Sequence, residues 1–465
     1  MILESFSIFL LAWASGVGMA HLAWRSLNPW SLPLKIFLGI GLGLGMTSCL
    51  YFLRLVFFPG QDGYLLLQAG IFSIILILLY LQKRLSLDFP VRSISFSKTN
   101  ILFGLAAIVI LALALQYSLV SARIAPHGDY DAHAIWNLRA RFIYRLGDEW
   151  QKAFSPAINR DFHMDYPLLV PMNVTGGWNT MKEEVTRVPA VQAMLFLGGL
   201  AGVMFSGLAY VRSIGQGALA VTVLLATPYI LQFSSFQTAD IPLSYFFLAS
   251  AVLLFLAVYE TSAGLLFLCG LMAGLSAWTK NEGQSYALIA AVTGLFLFYK
   301  RGWRNYASLL GGMALPILTL LVFKTVLPGR NDLLAGNGLF EILLKLWDTD
   351  RYSTIFHYLG SELAVLGGWP ISILMILAIY GLVMGVNGSA RNGQVMWLIW
   401  IVLAQFLAYF AVYLITPNEL EWQLMYSMSR LLIHLFPMAL LIFFLVIRTP
   451  DSLFELPTGA PGQHS

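Results

Sequence analysis

The segment at residues 125–145, APHGDYDAHAIWNLRARFIYR, holds two aspartates, two histidines and three arginines. Only 11% of the residues in the chain are charged, and a carboxylate held beside lipid is costly and usually functional. At such a boundary a carboxylate can take a proton from an attacking hydroxyl group. We therefore predict that Asp131 is a general base, with Asp129 as the neighbouring candidate.

Asp131 also has a purely structural interpretation. It directly precedes a predicted helix at residues 132–146, and aspartate is favoured at the N-cap of a helix. The two roles are compatible. A cap alone, however, does not explain why two carboxylates are grouped with His127 and His133.

A second group lies in HMDYPLLVP, where His163, Asp165 and Tyr166 precede Pro167. A histidine and an aspartate are too few for a metal site, because such sites usually use three or four protein ligands. We predict that these residues bind substrate or position the loop, which turns here into a second surface helix. A divalent metal is the less favoured alternative, and nothing in the sequence requires a cofactor.

Two later connections carry isolated charges. QFSSFQTADIPLSYFF places Asp240 at the start of a predicted helix, where it could be a plain N-cap. SAWTKNEGQSY places Lys280 and Glu282 on a side where short connections otherwise carry little positive charge. Lys280 therefore needs an anionic partner, which is either Glu282 itself or a ligand.

A late helix, MYSMSRLLIHLFPMALL, carries Arg430 and His434 four residues apart and hence on one helix face. Snorkelling toward the membrane surface could accommodate the arginine. The sharper alternative is a phosphate contact, because the guanidinium group matches phosphate geometry.

The elements that hold these residues are predicted to lie in a membrane. The chain has 465 residues, of which 58% are hydrophobic, and its mean hydropathy is +0.76. That is more apolar surface than a soluble protein of this size needs. The net charge of +4 is small and dispersed, which argues against nucleic-acid binding, and Cys49 and Cys269 lie in apolar runs where a disulfide is not expected.

The sequence thus predicts an all-α polytopic membrane protein with about 13 transmembrane helices. Apolar runs place them near residues 4–21, 34–57, 63–82, 101–120, 188–211, 214–232, 240–259, 263–279, 283–299, 305–327, 368–387, 394–416 and 430–448. Lysines and arginines of the short connections fall mostly on one side. This bias predicts that the N-terminus lies outside and the C-terminus inside the cytoplasmic (inner) membrane.

Two connections on the outer side are long, at about 121–187 and 328–367. Each is predicted to carry an interfacial helix, at 132–146 and at 339–348. The first of these helices has a polar stripe and an apolar stripe, formed by His133, Asn137, Arg141 and Arg145 and by Ile135, Leu138, Phe142 and Leu146.

We divide the chain into four parts. Residues 1–100 form an N-terminal three-helix membrane addition, and 101–327 form a catalytic membrane core that includes the first outer loop. Residues 328–448 hold the second outer loop and the C-terminal membrane helices. Residues 449–465 are a cytoplasmic tail, whose end, TGAPGQHS, is predicted to be disordered.

Taken in order, these motifs resemble the GT-C membrane glycosyltransferases, specifically bacterial relatives of the protein O-mannosyltransferases and the lipid A aminoarabinose transferases. The resemblance covers about residues 101–447. Its parts are the acidic outer-loop motif, the H-x-D-Y-P turn, the A-D-x-P-L helix start, the T-K-x-x-G hairpin and the late helix with an arginine and a proline.

The resemblance implies a polyprenyl-phosphate-linked sugar as donor, an active site on the extracytoplasmic face and inversion at the anomeric carbon. The acceptor would be a glycan, a lipid or a protein. Asp131 in YDA matches the family's catalytic aspartate best, with Asp129 beside it. Lys280 in TKNEG resembles the lysine that contacts the lipid phosphate, and Arg430 resembles the late arginine near the same site.

Other positions are carried over with less detail. His163 and Asp165 match the second part of the family's first loop, and Arg141 and Arg145 are further candidates for the phosphate. The family's acidic pair is usually Asp-Glu, whereas residues 129–131 read D-Y-D, so either aspartate could be the base. Three helices also precede the one that normally comes first.

The competing class is a transporter or flippase of lipid-linked glycans without transfer chemistry. Such a protein is expected to hold charges near the bilayer midplane, often in broken helices. In this chain the predicted helix interiors are almost uncharged, and the charges cluster toward one face. The sequence therefore favours the glycosyltransferase.

Overall fold

The computed structural model describes residues 2–58, 60–85, 97–155, 163–260, 262–298, 302–327, 329, 338–387 and 393–449, without the side chains of residues 2, 3 and 339. The predicted disordered end of the tail lies outside these residues. So do parts of both long outer loops, at 156–162 and 330–337.

The described part of the chain is helical and contains no β-strand, which confirms the all-α class. Its helices are α1 (Ile2–Ala23), α2 (Ser31–Phe57), α3 (Tyr64–Leu81), α4 (Lys98–Ile124), α5 (Asn137–Leu146), α6 (Leu169–Met181), α7 (Arg187–Val211), α8 (Ile214–Ala226), α9 (Pro228–Ser235), α10 (Asp240–Glu260), α11 (Ala263–Thr279), α12 (Asn281–Phe298), α13 (Trp303–Val326), α14 (Leu339–Trp347), α15 (Thr349–Ala364), α16 (Ile373–Met384), α17 (Gly393–Ile415) and α18 (Leu420–Val446). A π-helical turn at Ala132–Trp136 precedes α5, and a 3₁₀ segment at Gly147–Phe154 follows it.

Nine of the described helices are long and apolar enough to cross a membrane, or up to eleven if each of two sharply bent pairs is one span. The apolar composition supports a multi-pass membrane protein. Most predicted spans coincide with a described helix; those at 214–232 and 368–387 do not. Helix α11 is short, with 17 residues, and only Lys280 separates it from α12.

Four predicted helices differ from the structure. The surface helix predicted after Pro167 is α6, which is buried from Leu169 to Asn179 because it packs against α2 and α5. In the span predicted at 368–387 only Ile373–Met384 is α-helical, because the chain bends by 75° after the positive-φ residues Gly367 and Gly368.

The span predicted at 214–232 is broken into α8 and α9, which meet at an angle of 64°, because Pro228 at the start of α9 cannot continue the hydrogen bonding of α8. Helix α18 begins ten residues before the predicted start at 430, because Glu419 caps it by accepting from the backbone N–H groups of Glu421 and Trp422.

Helix α10 forms the centre of the bundle and is buried along almost its whole length. Helix α2 packs against it so closely that the Tyr245 hydroxyl accepts from the Gly41 backbone N–H at 3.1 Å. Any side chain at position 41 would overlap the Tyr245 ring. The N-terminal helices therefore share one core with the rest of the chain.

The connection after α2 also holds the first outer loop. The Gln61 side-chain amide donates to the carbonyl oxygen of Gly147 at 2.7 Å and accepts from Asn179 at 3.1 Å. The Gly60 backbone N–H donates to Asp148 at 2.7 Å. These bonds fix the end of α5 against the helical core.

Candidate active site

Asp240 is the centre of a buried hydrogen-bond network. It is the first residue of α10 and is 1% exposed. Its Oδ1 atom accepts from Lys280 Nζ at 3.0 Å and from His434 Nε2 at 2.9 Å. Its Oδ2 atom accepts from Arg430 Nη2 at 2.8 Å and from the Thr238 hydroxyl at 2.7 Å. A carboxylate offers about four acceptor positions, so this one is saturated.

A plain N-cap side chain would accept from backbone N–H groups of the first helical turn. The partners of Asp240 are all side chains, and therefore its interpretation as a plain N-cap is wrong. Local helix geometry explains how the partners meet. Arg430 and His434 lie one turn apart on α18 and point at the same carboxylate. Lys280 approaches Asp240 from another side, because it is the single residue, with extended backbone, between α11 and α12.

The spacing of His434 from Arg430 predicts that both lie on one helix face, but it does not predict the partners of His434. The imidazole is fully buried. Its Nδ1 atom lies 3.3 Å from the hydroxyl of Tyr409 on α17, opposite the bond that joins Nε2 to Asp240. His434 thus ties α10, α17 and α18 together at the floor of the network.

Asp131 joins the network at its accessible edge. The Arg430 Nη1 atom donates to Asp131 Oδ2. The side chains of Asp131 and Arg430 are 24% and 23% exposed, whereas those of Asp240 and Lys280 are 1% and 5% exposed. A ligand that approaches this network therefore meets Asp131 and Arg430 first.

The alternative role of Asp131 as an N-cap is wrong. Its backbone is already helical, and its side chain makes no capping hydrogen bond. Asp129, the other candidate base, is exposed; its backbone N–H donates to the Phe236 carbonyl oxygen at 3.3 Å. Of the two aspartates, the structure brings Asp131 to Arg430.

The π-helical turn breaks the predicted four-residue repeat. A π-turn holds one residue more than an α-helical turn, so side chains beyond it are rotated relative to those before it. His133 is exposed, but Asn137 is buried and donates to Gln237 Oε1 at 2.9 Å. The continuous polar stripe predicted for 132–146 is therefore wrong at Asn137. Instead, Asn137 anchors the Asp131 segment to the chain just before Asp240.

Lys280 is the second cation of the network. It forms an ion pair with Glu282 at 3.0 Å as well as with Asp240. Burial alone would lower the pKa of Lys280, but the two carboxylates outweigh it and raise the pKa above its ordinary value. The ammonium group also lies 6.0 Å from the ring centroid of Tyr166.

The His163 turn packs beside Lys280. The Tyr166 ring stacks with His163, at 4.7 Å, and with Trp136, at 5.5 Å between ring centroids. Asp165 is buried and accepts from Asn281, the neighbour of Lys280, at 2.6 Å. The turn thus lines one side of the network and is bonded to the Lys280 connection.

Arg141 and Arg145 lie in a different cluster. Both donate to Glu184, Arg141 at 2.9 Å, and the described contacts do not join them to Asp240 or Lys280. Burial would raise the pKa of Glu184, but the two arginines outweigh it and lower the pKa. The structure therefore does not bring the two arginines predicted to bind phosphate into the network.

Within the described residues, no group of three or more histidine, cysteine, aspartate or glutamate side chains is arranged to hold a metal ion. The chemistry that the described network offers is proton transfer by a carboxylate and stabilisation of an anion by two cations.

No family model, curated protein or solved structure matches the chain. The geometry of the network and the short sequence motifs therefore carry the functional argument.

Proposed function

We propose that this protein is a membrane-embedded inverting glycosyltransferase. It would move a sugar from a polyprenyl-phosphate-linked donor to a glycan, lipid or protein acceptor on the extracytoplasmic face. The observation that carries the proposal is the convergence of Lys280 and Arg430 on Asp240, with Asp131 at the accessible edge of the same network.

A sugar on polyprenyl phosphate carries its own leaving group. The main task of the enzyme is to stabilise the negative charge that develops on the phosphate as the bond to the anomeric carbon breaks. Fixed cations in a poorly hydrated site do this effectively, since they need no reorganisation during the reaction. Arg430 and Lys280 would be those cations, and Asp240 and His434 would hold them in place.

The charge balance of the network sets a condition on donor binding. Three carboxylates, those of Asp131, Asp240 and Glu282, surround the two cations. An anionic phosphate would be repelled unless one carboxylate moves away. Asp240 is enclosed, whereas Asp131 is partly exposed, so the donor phosphate would displace Asp131 from Arg430.

This exchange would also prepare the base. Once released from Arg430, the Asp131 carboxylate can accept a proton from the acceptor hydroxyl or amine. The acceptor atom then bonds to the anomeric carbon as the bond to the phosphate oxygen breaks, and the polyprenyl phosphate leaves. Donor binding and base release would thus be one event.

The same proposal includes the GT-C class, the count of about 13 spans, the interfacial helices and the orientation in the membrane. The count is reached when the bent pair α8–α9 and the helices α11, α12 and α16 are added as four spans to the nine. Helix α14 supports an interfacial position, because its exposed side chains Phe340, Leu344 and Trp347 are large and apolar. The positive-inside bias places the Asp240 end of α10 outside.

A transporter is less well supported. Charges near the midplane are expected in that class, but Asp240, Lys280 and Glu282 lie at the ends of α10, α11 and α12.

The decisive experiment uses Asp131→Asn in the purified full-length protein. Transfer from a panel of polyprenyl-phosphate sugars should fall by about 10²–10⁴-fold, the usual effect of losing a general base. Binding of a polyprenyl phosphate without sugar should become tighter, by about tenfold, because the competing carboxylate is gone.

Glu149→Gln is the matched control, since it removes an exposed carboxylate of the same outer loop; it should change neither transfer nor binding. Asp129→Asn tests the neighbouring aspartate and should retain transfer. Unchanged transfer in Asp131→Asn would refute the catalytic assignment, and weaker binding in that variant would refute the exchange.

A further inference from the structure

The opposite end of α10 holds a second cluster of charges, which the proposed transfer reaction does not use. Lys35, in the second turn of α2, is only 4% exposed. Its ammonium group lies 3.4 Å from His21 Nδ1 and 5.1 Å from the ring centroid of Trp24. Among the described residues, no carboxylate lies within ion-pair distance of Lys35.

Further cations surround this ammonium group. Arg25 and Arg84 are close enough that their charges repel that of Lys35, while Glu260 attracts it. Arg25 is exposed and Arg84 is half-buried. Arg84 is held in place because its guanidinium group donates to the Leu22 carbonyl oxygen. Among the described residues, Glu260 is the one carboxylate whose charge acts on Lys35 beside these cations.

That carboxylate is itself occupied. Glu260 accepts from Trp24 Nε1 at 2.8 Å and from the Tyr210 hydroxyl. These bonds hold it beside the cluster without bringing it into an ion pair with Lys35. An ammonium group has three donors and no acceptor, so His21 Nδ1 must accept, and two N–H groups of Lys35 remain for another acceptor.

A buried ammonium group without a carboxylate partner is costly. The cost is offset if an anion from outside the chain completes the cluster. Basic pockets between membrane helices bind phosphate head groups in this way. Lys35 would be the buried contact of such an anion, and Arg84 and Arg25 would be the more accessible ones.

We propose that Lys35, Arg84 and Arg25 bind a phosphate group, that of an anionic phospholipid in the leaflet at this end of the bundle. The site is independent of the transferase proposal, because it lies at the other end of α10 and shares no residue with the Asp240 network.

The test measures binding of phosphatidylglycerol to the purified full-length protein by native mass spectrometry, with phosphatidylcholine as the neutral comparison. Phosphatidylglycerol should bind preferentially. Lys35→Gln should weaken its binding by about tenfold, as expected when a hydrogen bond to a charged group is lost. Arg84→Gln should do the same, and it keeps the test valid if Lys35→Gln does not fold.

Arg304→Gln is the matched control. Arg304 lies in the first turn of α13 and is exposed, so the variant removes the same charge outside the cluster and should bind phosphatidylglycerol normally. Inorganic phosphate, titrated separately, identifies the source of the ligand. If the wild type binds inorganic phosphate and the Lys35 and Arg84 variants do not, the phosphate site is supported and its ligand is a soluble phosphate. Equal binding of phosphatidylglycerol by the wild type and both variants overturns the proposal.

Discussion

The two ends of α10 hold opposite balances of charge. At one end, three carboxylates surround Lys280 and Arg430. At the other end, Arg25, Lys35 and Arg84 share the carboxylate of Glu260. A helix of 21 residues separates them by about 30 Å, so each end keeps its own balance.

This difference in charge balance determines how an anion can enter each cluster. The Asp240 network already satisfies its cations, so an anion enters only by replacing a carboxylate. Among the described residues, the Lys35 cluster has more cations than carboxylates, so we expect an anion to be added there without displacement. In the Asp240 network, replacement of a carboxylate would link ligand binding to the release of a reactive group. In the Lys35 cluster, an added anion would only stabilise the fold.

The largest difference in stability between the two ends is expected when one carboxylate at each end is replaced by its amide. Asp240→Asn leaves Lys280 and Arg430 without their shared carboxylate, and breaking a buried ion pair in this way costs about 3–5 kcal/mol. Glu260→Gln should cost much less, because the glutamine carbonyl can still accept from Trp24. Thermal unfolding in detergent measures both. Similar losses in the two variants would contradict the proposed difference.

The next largest effect separates the two buried lysines. Lys280→Met should weaken binding of a polyprenyl phosphate by about ten- to hundredfold, since it removes one of the two cations proposed to hold the phosphate. Lys35→Met should leave that binding unchanged. In detergent without anionic lipid, it should also raise the unfolding temperature, because an ammonium group without a carboxylate partner is no longer buried. A lower unfolding temperature for Lys35→Met would show that the cluster is already compensated within the chain.

The smallest effect is expected at Glu184, which belongs to neither end. The pKa of Glu184 is lowered in the folded protein, so its stabilisation is present at neutral pH. It is lost as the pH falls below the ordinary glutamate value toward the lowered one. Glu184→Gln should therefore lower stability near neutral pH by at most about 1 kcal/mol and have no effect near pH 3. A stability difference that grows on acidification would contradict this ion pair.

Sequence reasoning located the helices and most of the charged residues that meet in the network. Apolar runs predict helices because lipid-facing segments must be long and uncharged. The early start of α18 was missed because its first three turns, LEWQLMYSMSR, mix charged and apolar residues. The bend at Pro228 had a local signal in the proline itself.

The assembly of the network could not be predicted. Asp131 and Arg430 are 299 residues apart in sequence, and no local pattern specifies that they meet at one guanidinium group. The π-turn has no distinct sequence signature, so the burial of Asn137 was missed. Tyr409 lies in an apolar run, and neither it nor Gln405 one turn before it indicates a contact with His434.

The central position of α2 has a consequence for how the chain is made. Its contact with Tyr245 joins residues 204 positions apart, and the bond from Trp278 to Ser48 joins residues 230 apart. At a synthesis rate of roughly 5–20 residues per second, α2 waits about 10 to 40 s for the first of these partners. During that interval its glycine-lined surface, with Gly41 and Gly45, faces lipid or the insertion machinery. Helix α2 is therefore complete long before its later neighbours, α10 and α11, are made.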